Sequence, residues 1–314
     1  MKRSAKRVET PQGSLEYILG REGGCVVVTG CSGWDTELRI PAAIEGLPVT
    51  VIAKKAFLSR KQLRRVVLPE TVEEIGDWAF AYCTNLESVW MPRKKCTLGS
   101  RIFMECPGIR RLFLYEGGRE EKNPAKASER EEQTAALLAA SAALLEAEYL
   151  MDPMEAGTGP WLQKWDARML QMLRAEDGEG YTKMILCGEE DAGSSMEIYL
   201  NRRRKSKVRL ALLRLMNPLE LSGERAQELR EYLAAHTRGC ESEETWEVIL
   251  GEHGHEQKYF ELFTEIGGIT EENFHAVLTD MGNEYAEMKA FLIRYREEKM
   301  ECKDFFETLS LEGW

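Results

Sequence analysis

Three segments of the chain repeat one another with a step of 23 residues: AFLSRKQLRRVVLP at residues 56–69, AFAYCTNLESVWMP at residues 79–92 and IFMECPGIRRLFLY at residues 102–115. Positions that are apolar in one copy are mostly apolar in the other two. A fixed period of this length is typical of a solenoid, in which each unit buries its apolar face by stacking on its neighbours. The segments therefore predict a solenoid, an architecture that presents surface and seldom carries chemistry.

Each copy contains a short strand, and alternate side chains of a strand point to opposite faces of the sheet. In the first copy Val66 and Leu68 are predicted to point inward, so that the residues beside them point outward. The 23-residue step then arranges the outward residues of successive copies in columns. The first column is Arg39, Val67, Trp90 and Phe113, and the second is Glu37, Arg65, Ser88 and Arg111.

The first column combines two aromatic rings with flanking arginines, which is the composition of a protein–protein hot spot. We predict a partner-binding or interdomain site here. Apolar patches of several hundred Å² are rarely left bare on a monomer. The occupant is therefore either an external protein or the C-terminal half of the same chain. The predicted site residues are Arg39, Arg65, Val67, Trp90, Arg111 and Phe113.

The same rhythm begins before the first copy. Leu38-x-Ile40-Pro41 matches Val66-x-Leu68-Pro69, and the segment Ile44-x-Gly46-x-Pro48-Val49-Thr50-x-Ile52 leads into Ala56-Phe57. With this pattern, residues 35–115 resemble the BspA-type leucine-rich repeats. The resemblance implies a short β-solenoid that binds proteins. The third copy departs from the pattern at Ile102 and lacks a proline after Leu114, as expected of a terminal repeat.

Residues before the repeats predict a cap. Leu15 to Val28 alternates apolar and polar residues around glycines, which predicts a β-hairpin covering the first repeat. Val26 to Gly33 also looks like the glycine turn of a dinucleotide-binding fold. Such a turn must lead into a helix, whereas Asp35 to Pro41 predicts another strand. We therefore predict no nucleotide cofactor.

After Tyr115 the pattern changes to that of helices. Glu131 to Leu150 predicts a connecting helix after a polar linker, and Trp161 to Leu173 predicts an amphipathic helix. From Tyr181 onward, helix pairs are predicted, with Ser222 and Thr270 as N-caps. The spacing is similar to that of ankyrin-type α-hairpin repeats, although their T-P-L-H signature is absent. The residues predicted to end the second helix of each pair are Leu200, Leu233, Phe263 and Leu292.

The predicted fold class is therefore α+β, with two repeat domains. Residues 1–117 form a leucine-rich repeat domain with its N-terminal cap. Residues 118–160 form a linker with the connecting helix, and residues 161–314 form an ankyrin-like helical domain.

Charge divides the chain in the same way. The net charge is −11. Residues 1–117 carry 18 Lys+Arg against 13 Asp+Glu, whereas residues 118–314 carry 24 against 40. Opposite signs suit two halves that face each other, and the acidic half argues against nucleic-acid binding. No apolar run approaches the roughly 20 residues that cross a membrane. No secretory signal is evident, so the eight cysteines are predicted to be reduced and the protein cytoplasmic.

Two polar clusters in the C-terminal half have ordinary explanations. Residues 202–209 hold six positive charges, and we expect a solvated helix start or a contact with acidic residues of the same domain rather than a phosphate site. The spacing of His236, Cys240, His253 and His255 matches no standard zinc finger. We predict surface histidines and no metal site.

The sequence therefore predicts a cytoplasmic, non-enzymatic scaffold for protein–protein interaction, with a protein partner that the sequence does not identify. It predicts no catalytic residues, no cofactor, no nucleic acid and no membrane. Two alternatives stay open. One is a hydrolase or transferase with its site at the junction of the two domains, and the other is a secreted, adhesin-like protein.

Overall fold

The computed structural model describes residues 5–11, 13–20, 23–33, 36–117, 127–181, 195–237 and 243–300. The chain divides into two compact units. The first is Met1–Arg174 with Met216–Glu220, and the second is Ala175–Leu215 with Leu221–Trp314. The boundaries predicted at 117 and 160 both lie inside the first unit.

The first unit begins with strands that form two sheets. The larger sheet has the order β1-β2-β3-β6-β8-β10, with β5 paired to β6, and the smaller sheet has the order β11-β9-β7-β4. This is the predicted β-solenoid, in which each repeat contributes one strand to each sheet. The strands are β1 (Lys6–Thr10), β2 (Gly13–Leu19), β3 (Val26–Ser32), β4 (Glu37–Arg39), β5 (Ala43–Ile44), β6 (Leu47–Ile52), β7 (Arg65–Val67), β8 (Glu74–Ile75), β9 (Ser88–Pro92), β10 (Thr97–Leu98) and β11 (Arg111–Tyr115).

The register of the smaller sheet is the predicted one. Its strands are parallel, and Val67 pairs with Trp90, which pairs with Phe113. Arg39 of β4 pairs with Val67 across the longer first step. The 23-residue period therefore locates side-chain neighbours correctly along the solenoid.

Side chains inside the solenoid form continuous stacks. The rings of Phe57, Phe80 and Phe103 stack with centroid separations of 5.1 and 5.7 Å. The thiol of Cys83 donates to the Phe57 carbonyl at 3.1 Å, and Cys106 donates to the Phe80 carbonyl at the same distance. Both cysteines are buried, so they are core positions of the repeat, as their spacing predicts.

Successive repeats approach each other most closely at two glycines. A Cβ atom on Gly76 would lie 2.5 Å from the backbone nitrogen of Lys54, and one on Gly99 would lie 2.4 Å from that of Asp77. These distances are shorter than any ordinary nonbonded contact. Glycine is therefore required at this position of the repeat because the neighbouring backbone occupies the space of a side chain.

The N-terminal cap contains one strand more than the sequence predicts. Strands β2 and β3 form the predicted antiparallel hairpin, and β1 pairs with β2 on its outer edge. Strand β3 continues the solenoid sheet by pairing with β6. It runs through Gly30 to Ser32, and the next described element is strand β4, so the glycine turn has no dinucleotide-binding context.

Two α-helices complete the described part of the first unit. Helix α1 (Glu129–Ala143) begins at a capping box between Ser128 and Glu131, two residues before the predicted start. It ends well before Leu150, because the backbone turns at Glu146 with a φ of 47° and then forms a 3₁₀ turn at Glu148–Leu150. The predicted amphipathic helix is confirmed as α2 (Gly159–Arg174). Part of the predicted linker, residues 118–126, lies outside the described residues.

The described part of the second unit is helical: α3 (Met196–Met216), α4 (Gly223–Ala234), α5 (Glu244–His253), α6 (Gln257–Glu265), α7 (Phe274–Asp280) and α8 (Ala286–Tyr295), followed by a π turn at Arg296–Met300. Among the described residues, no helix is both long and apolar enough to span a lipid bilayer. The relation of these helices to ankyrin repeats stays a prediction.

The predicted helix ends in this unit are partly right. Ser222 caps α4 by accepting a hydrogen bond from the Arg225 backbone. Thr270 and Asn273 form the expected reciprocal pair of side-chain-to-backbone bonds, although the α-helix itself begins only at Phe274. Leu200 lies in the first turns of α3, so the prediction that it ends a second helix is wrong.

Candidate functional site

The predicted outward column is buried. Val67 is 1% exposed, Trp90 3% and Phe113 5%. The rings of Trp90 and Phe113 stack with their centroids 4.3 Å apart. Both faces of the smaller sheet are therefore buried around these three residues, and the column is part of the interior of the first unit.

Helix α1 covers this column. Ala135 belongs to the same buried cluster as Val67, Trp90, Phe113 and Tyr115, and Ala127 packs against it. The Tyr115 hydroxyl donates to the Leu68 carbonyl below the sheet edge. Every residue of α1 from Thr134 to Ser141 is buried, so the helix is built into the core of the first unit.

The arginines flanking the column bind acidic groups of the same unit. The Nε atom of Arg111 donates to Glu132 of α1 at 3.1 Å. Arg39 and Arg65 lie 3.6 and 3.9 Å from the Glu37 carboxylate. Arg65 also lies over the ring of Trp90, 5.6 Å from its centroid. The predicted site residues thus lie together, as contacts between the solenoid and the chain that follows it.

A different pair of columns faces solvent. They lie on the turns that follow the strands of the larger sheet, and we call them the turn face. Lys55, Trp78 and Arg101 form its first column, and Ser59, Tyr82 and Glu105 form its second, both with the 23-residue step. Trp78 is half-buried, and Tyr82, with 38% of its surface exposed, is one of the few exposed large hydrophobic residues.

Backbone hydrogen bonds between repeats hold the turn face in register. The Lys55 N–H donates to the Asp77 carbonyl at 3.0 Å, and the Trp78 N–H donates to the Ser100 carbonyl at 3.1 Å. In the second column, the Tyr82 N–H donates to the Met104 carbonyl at 2.8 Å. Each turn is therefore fixed by its neighbour, and the side chains that it carries are presented on a rigid support.

All six residues of the turn face have a positive φ, between 53° and 61°. This left-handed conformation is uncommon for residues other than glycine. A lysine, an arginine and two aromatic residues occupy it here, although glycine would adopt it more easily. Residues held in strained conformations cluster at functional sites. The strain therefore singles out these positions for what their side chains do.

The chemistry of the turn face is that of a protein-binding surface. The Lys55 ammonium lies 4.9 Å from the centroid of the Trp78 ring, a cation–π contact that holds the ring in place. Tryptophan, tyrosine and arginine are the residues most enriched at hot spots. The 23-residue step could have identified these columns from sequence. Sequence patterns alone do not tell which columns a later helix covers.

The basic run of α3 is neutralised within its own unit. Arg204 and Lys207 bind the Asp177 carboxylate at 2.9 and 2.6 Å. Lys205 lies 3.1 Å from Glu247, and Arg209 forms a bidentate pair with Glu252 at 2.6 to 2.9 Å. The run therefore makes the predicted contacts with acidic residues of the same domain.

The histidines have structural contacts. The His253 ring stacks on Tyr259 at 3.7 Å and bonds the Glu256 carboxylate at 2.7 Å, which lowers the pKa of Glu256 against the opposing effect of burial. His236 bonds the Tyr232 carbonyl at 2.7 Å. Cys240 lies outside the described residues. Among those described, no group of three His, Cys, Asp or Glu side chains is placed to hold a metal ion.

Comparison with known protein families identifies the repeats. Residues 46–121 match the family model described as BspA type leucine rich repeat region, with six copies. No protein among the curated relatives searched matches the chain.

Several solved structures are similar to the repeat region. A T. pallidum leucine-rich repeat protein is 31% identical over 33% of this chain and 49% of its own length, with a TM-score of 0.32. A leucine-rich cell surface protein from Faecalibacterium prausnitzii A2-165 is 28% identical over 37% of this chain and 31% of its own, with a TM-score of 0.30. A leucine-rich repeat protein from Bacteroides capillosus is 20% identical over 35% of this chain and 99% of its own, with a TM-score of 0.27. This chain thus spans less than half the length of the first two.

Proposed function

Because residues 46–121 are a BspA-type leucine-rich repeat region, we propose that the chain is a non-enzymatic protein-interaction module that binds a protein partner through the turn face. Leucine-rich repeat proteins generally mediate protein–protein interaction. The observation that carries the proposal is the exposed pair of Trp78 and Tyr82 with Lys55 and Arg101 beside them. The predicted site around Trp90 is buried and needs no external partner.

Rigidity supports this choice of surface. The turn face is fixed by hydrogen bonds between repeats, so little conformational freedom is lost when a partner binds. The surface also continues towards the end of the solenoid. The Glu148 carboxylate accepts the Arg101 N–H at 2.8 Å, and the next residue, Tyr149, is 62% exposed. Several aromatic anchors thus follow one edge of the first unit.

Site-specific photo-crosslinking tests the proposal. The full chain is produced in its own cells with benzoylphenylalanine in place of Tyr82, or in place of Glu73, which is exposed on a strand-side turn outside the turn face. We expect a discrete crosslinked protein from position 82 only, and loss of this product when Trp78→Ala is added. Equal crosslinking from both positions, or a product that survives Trp78→Ala, would show that the turn face is not the binding surface.

We also propose that the protein works in the cytoplasm. Support comes from Cys83 and Cys106, whose thiol hydrogens bond carbonyl groups inside the solenoid and must therefore stay in place. Fractionation of cells that express a tagged full chain tests this proposal. Recovery of the protein with cytoplasmic markers is expected, and recovery from the medium or the cell surface would overturn it.

A further inference from the structure

A polar cleft of about 250 Å³ lies at the N-terminal end of the turn face, where the cap meets the first repeat. Ser59 of the turn face lines it, so the two surfaces are continuous. Ligand pockets for small molecules begin at about 300 Å³, so this cleft suits one side chain or a short segment. The lining residues that matter here are Ser14, Cys31, Ser32, Glu37, Arg60 and Lys61.

Two cations at this cleft have no intramolecular partner. Arg60 and Lys61 are exposed, and neither side chain forms an ion pair or hydrogen bond with any residue in the described ranges. The one acidic residue in the lining, Glu37, lies within 3.6 and 3.9 Å of Arg39 and Arg65. The cleft therefore carries uncompensated positive charge.

The position of Arg60 in the repeat makes this charge unusual. Its equivalents 23 and 46 residues later are Cys83 and Cys106, which are buried and donate their thiol hydrogens inward. In the first repeat this position carries a guanidinium group at the cap. Burial raises the pKa of Cys31, and Arg60 opposes that rise, which places the guanidinium beside the Cys31 thiol in the cleft.

A hydroxyl group adds a further donor. The Ser14 and Ser32 hydroxyls lie 2.7 Å apart, and one donates to the other. The hydrogen of the accepting hydroxyl stays available to a ligand. The cleft thus offers a planar guanidinium fork, an ammonium group and a hydroxyl donor around one small volume. This donor set matches a carboxylate, which an arginine binds with two parallel hydrogen bonds.

We propose that this cleft binds a carboxylate side chain from an acidic peptide segment of the protein partner, with Arg60 and Lys61 as the binding cations. The inference rests on the proposed function, since it adds an electrostatic anchor at one end of the turn face. A peptide is favoured over nucleic acid because the chain as a whole carries a charge of −11, which repels a polyanion at long range.

The test uses the full chain and a fluorescein-labelled decapeptide of alternating glycine and glutamate, with fluorescence anisotropy as the readout. The same peptide with glutamine measures binding without the carboxylates. The cleft variant is Arg60→Gln with Lys61→Gln. The matched control is Lys95→Gln with Arg110→Gln, which removes the same charge from exposed sites outside the cleft lining.

We expect the glutamate peptide to bind the wild-type chain at least about tenfold more tightly than the glutamine peptide, and the cleft variant to lose about tenfold in affinity. The control should lose less than about threefold, as expected for distant surface charges. Equal losses in the two variants, or equal binding of the two peptides, would overturn the proposal. Tighter binding of a ten-nucleotide uridine RNA at the cleft would also overturn it.

Alkylation of Cys31 in the wild-type chain gives a readout that needs no variant. The bound glutamate peptide should slow iodoacetamide labelling of Cys31, whereas Cys96, which is also partly exposed, should react as before. Unchanged labelling of Cys31 at saturating peptide would contradict the proposal. If crosslinking from position 82 succeeds while the peptide fails, only this inference falls; if crosslinking fails, the proposed function falls.

Discussion

Two tryptophans show how far similar residues can differ in role. Trp90 and Trp78 lie 12 residues apart in the same repeat, and both form columns with the 23-residue step. Trp90 is stacked on Phe113 beneath α1, whereas Trp78 is half-buried at the turn face. We assign a structural role to Trp90 and a binding role to Trp78.

Substitution of each tryptophan by alanine should separate these roles. Trp90→Ala should lower the free energy of unfolding by about 3–5 kcal/mol, because it empties a packed cluster. Trp78→Ala should lower it by about 1 kcal/mol or less, mainly through the lost cation–π contact with Lys55. Urea unfolding of the full chain measures both. Equal costs for the two variants would contradict the assignment.

The buried thiols give the stability a pH dependence. Burial raises the pKa of Cys83 to about 11 and of Cys106 to about 12, against about 8.5 in an unfolded chain. The unfolded state therefore loses these protons first as pH rises. The stability due to the neutral thiols is complete below about pH 8.5 and is lost as pH rises towards their folded-state pKa values.

Urea unfolding at pH 8 and pH 10 tests this dependence. Each thiol should account for about 2 kcal/mol of lost stability between these pH values. The variant Cys83→Ala with Cys106→Ala should show a smaller decrease than the wild-type chain. Lysines and tyrosines titrate in both proteins, so their effect is common to both. Parallel decreases would show that the two thiols do not control this pH range.

At the scale of elements, the repeat unit was predictable and the helix that covers it was not. The period gives the strand register, including the pairing of Arg39 with Val67, because each unit must stack on the next. Helix α1 was predicted from its alanine and leucine content. Its position on the column of Val67, Trp90 and Phe113 depends on contacts between distant segments, and no local pattern encodes them.

The ends of α1 were predictable only in part. The Ser128 and Glu131 capping box is a local signal, and it explains why the helix begins at Glu129. The turn at Glu146 has no glycine to mark it. The sequence between Ala143 and Leu150 favours helix by propensity, and the contact of Glu148 with Ser100 and Arg101 of the last repeat competes with it.

The contact between repeats can be tested at Gly76. Gly76→Ala would place a methyl group 2.5 Å from the Lys54 nitrogen, and neighbouring backbone would have to move. We expect the free energy of unfolding to fall by about 1–3 kcal/mol. The control is Gly24→Ala in the cap, where a Cβ atom meets nothing within 4 Å. It should change stability by less than about 0.5 kcal/mol. A tolerated Gly76→Ala would contradict the close packing of repeats.

At the scale of the whole molecule, the charge division anticipated contacts that occur within the first unit. Arg111 of the basic repeats binds Glu132 of α1, and Arg93 donates to the carbonyl of Ala156. The first unit therefore extends past the predicted domain boundaries to Arg174. Composition changes at residue 117 because solenoid gives way to helix, and the compact unit continues through this change.

The central claim is that the turn face binds the partner while the column of Trp90 is internal. Hydroxyl-radical footprinting of the full chain, alone and in complex with the crosslinked partner, tests it most directly. We predict that Trp78 and Tyr82 are oxidised in the free chain and protected in the complex, whereas Trp90 and Phe113 are unmodified in both. Oxidation of Trp90 in the free chain and its protection in the complex, with Trp78 unchanged, would contradict the claim.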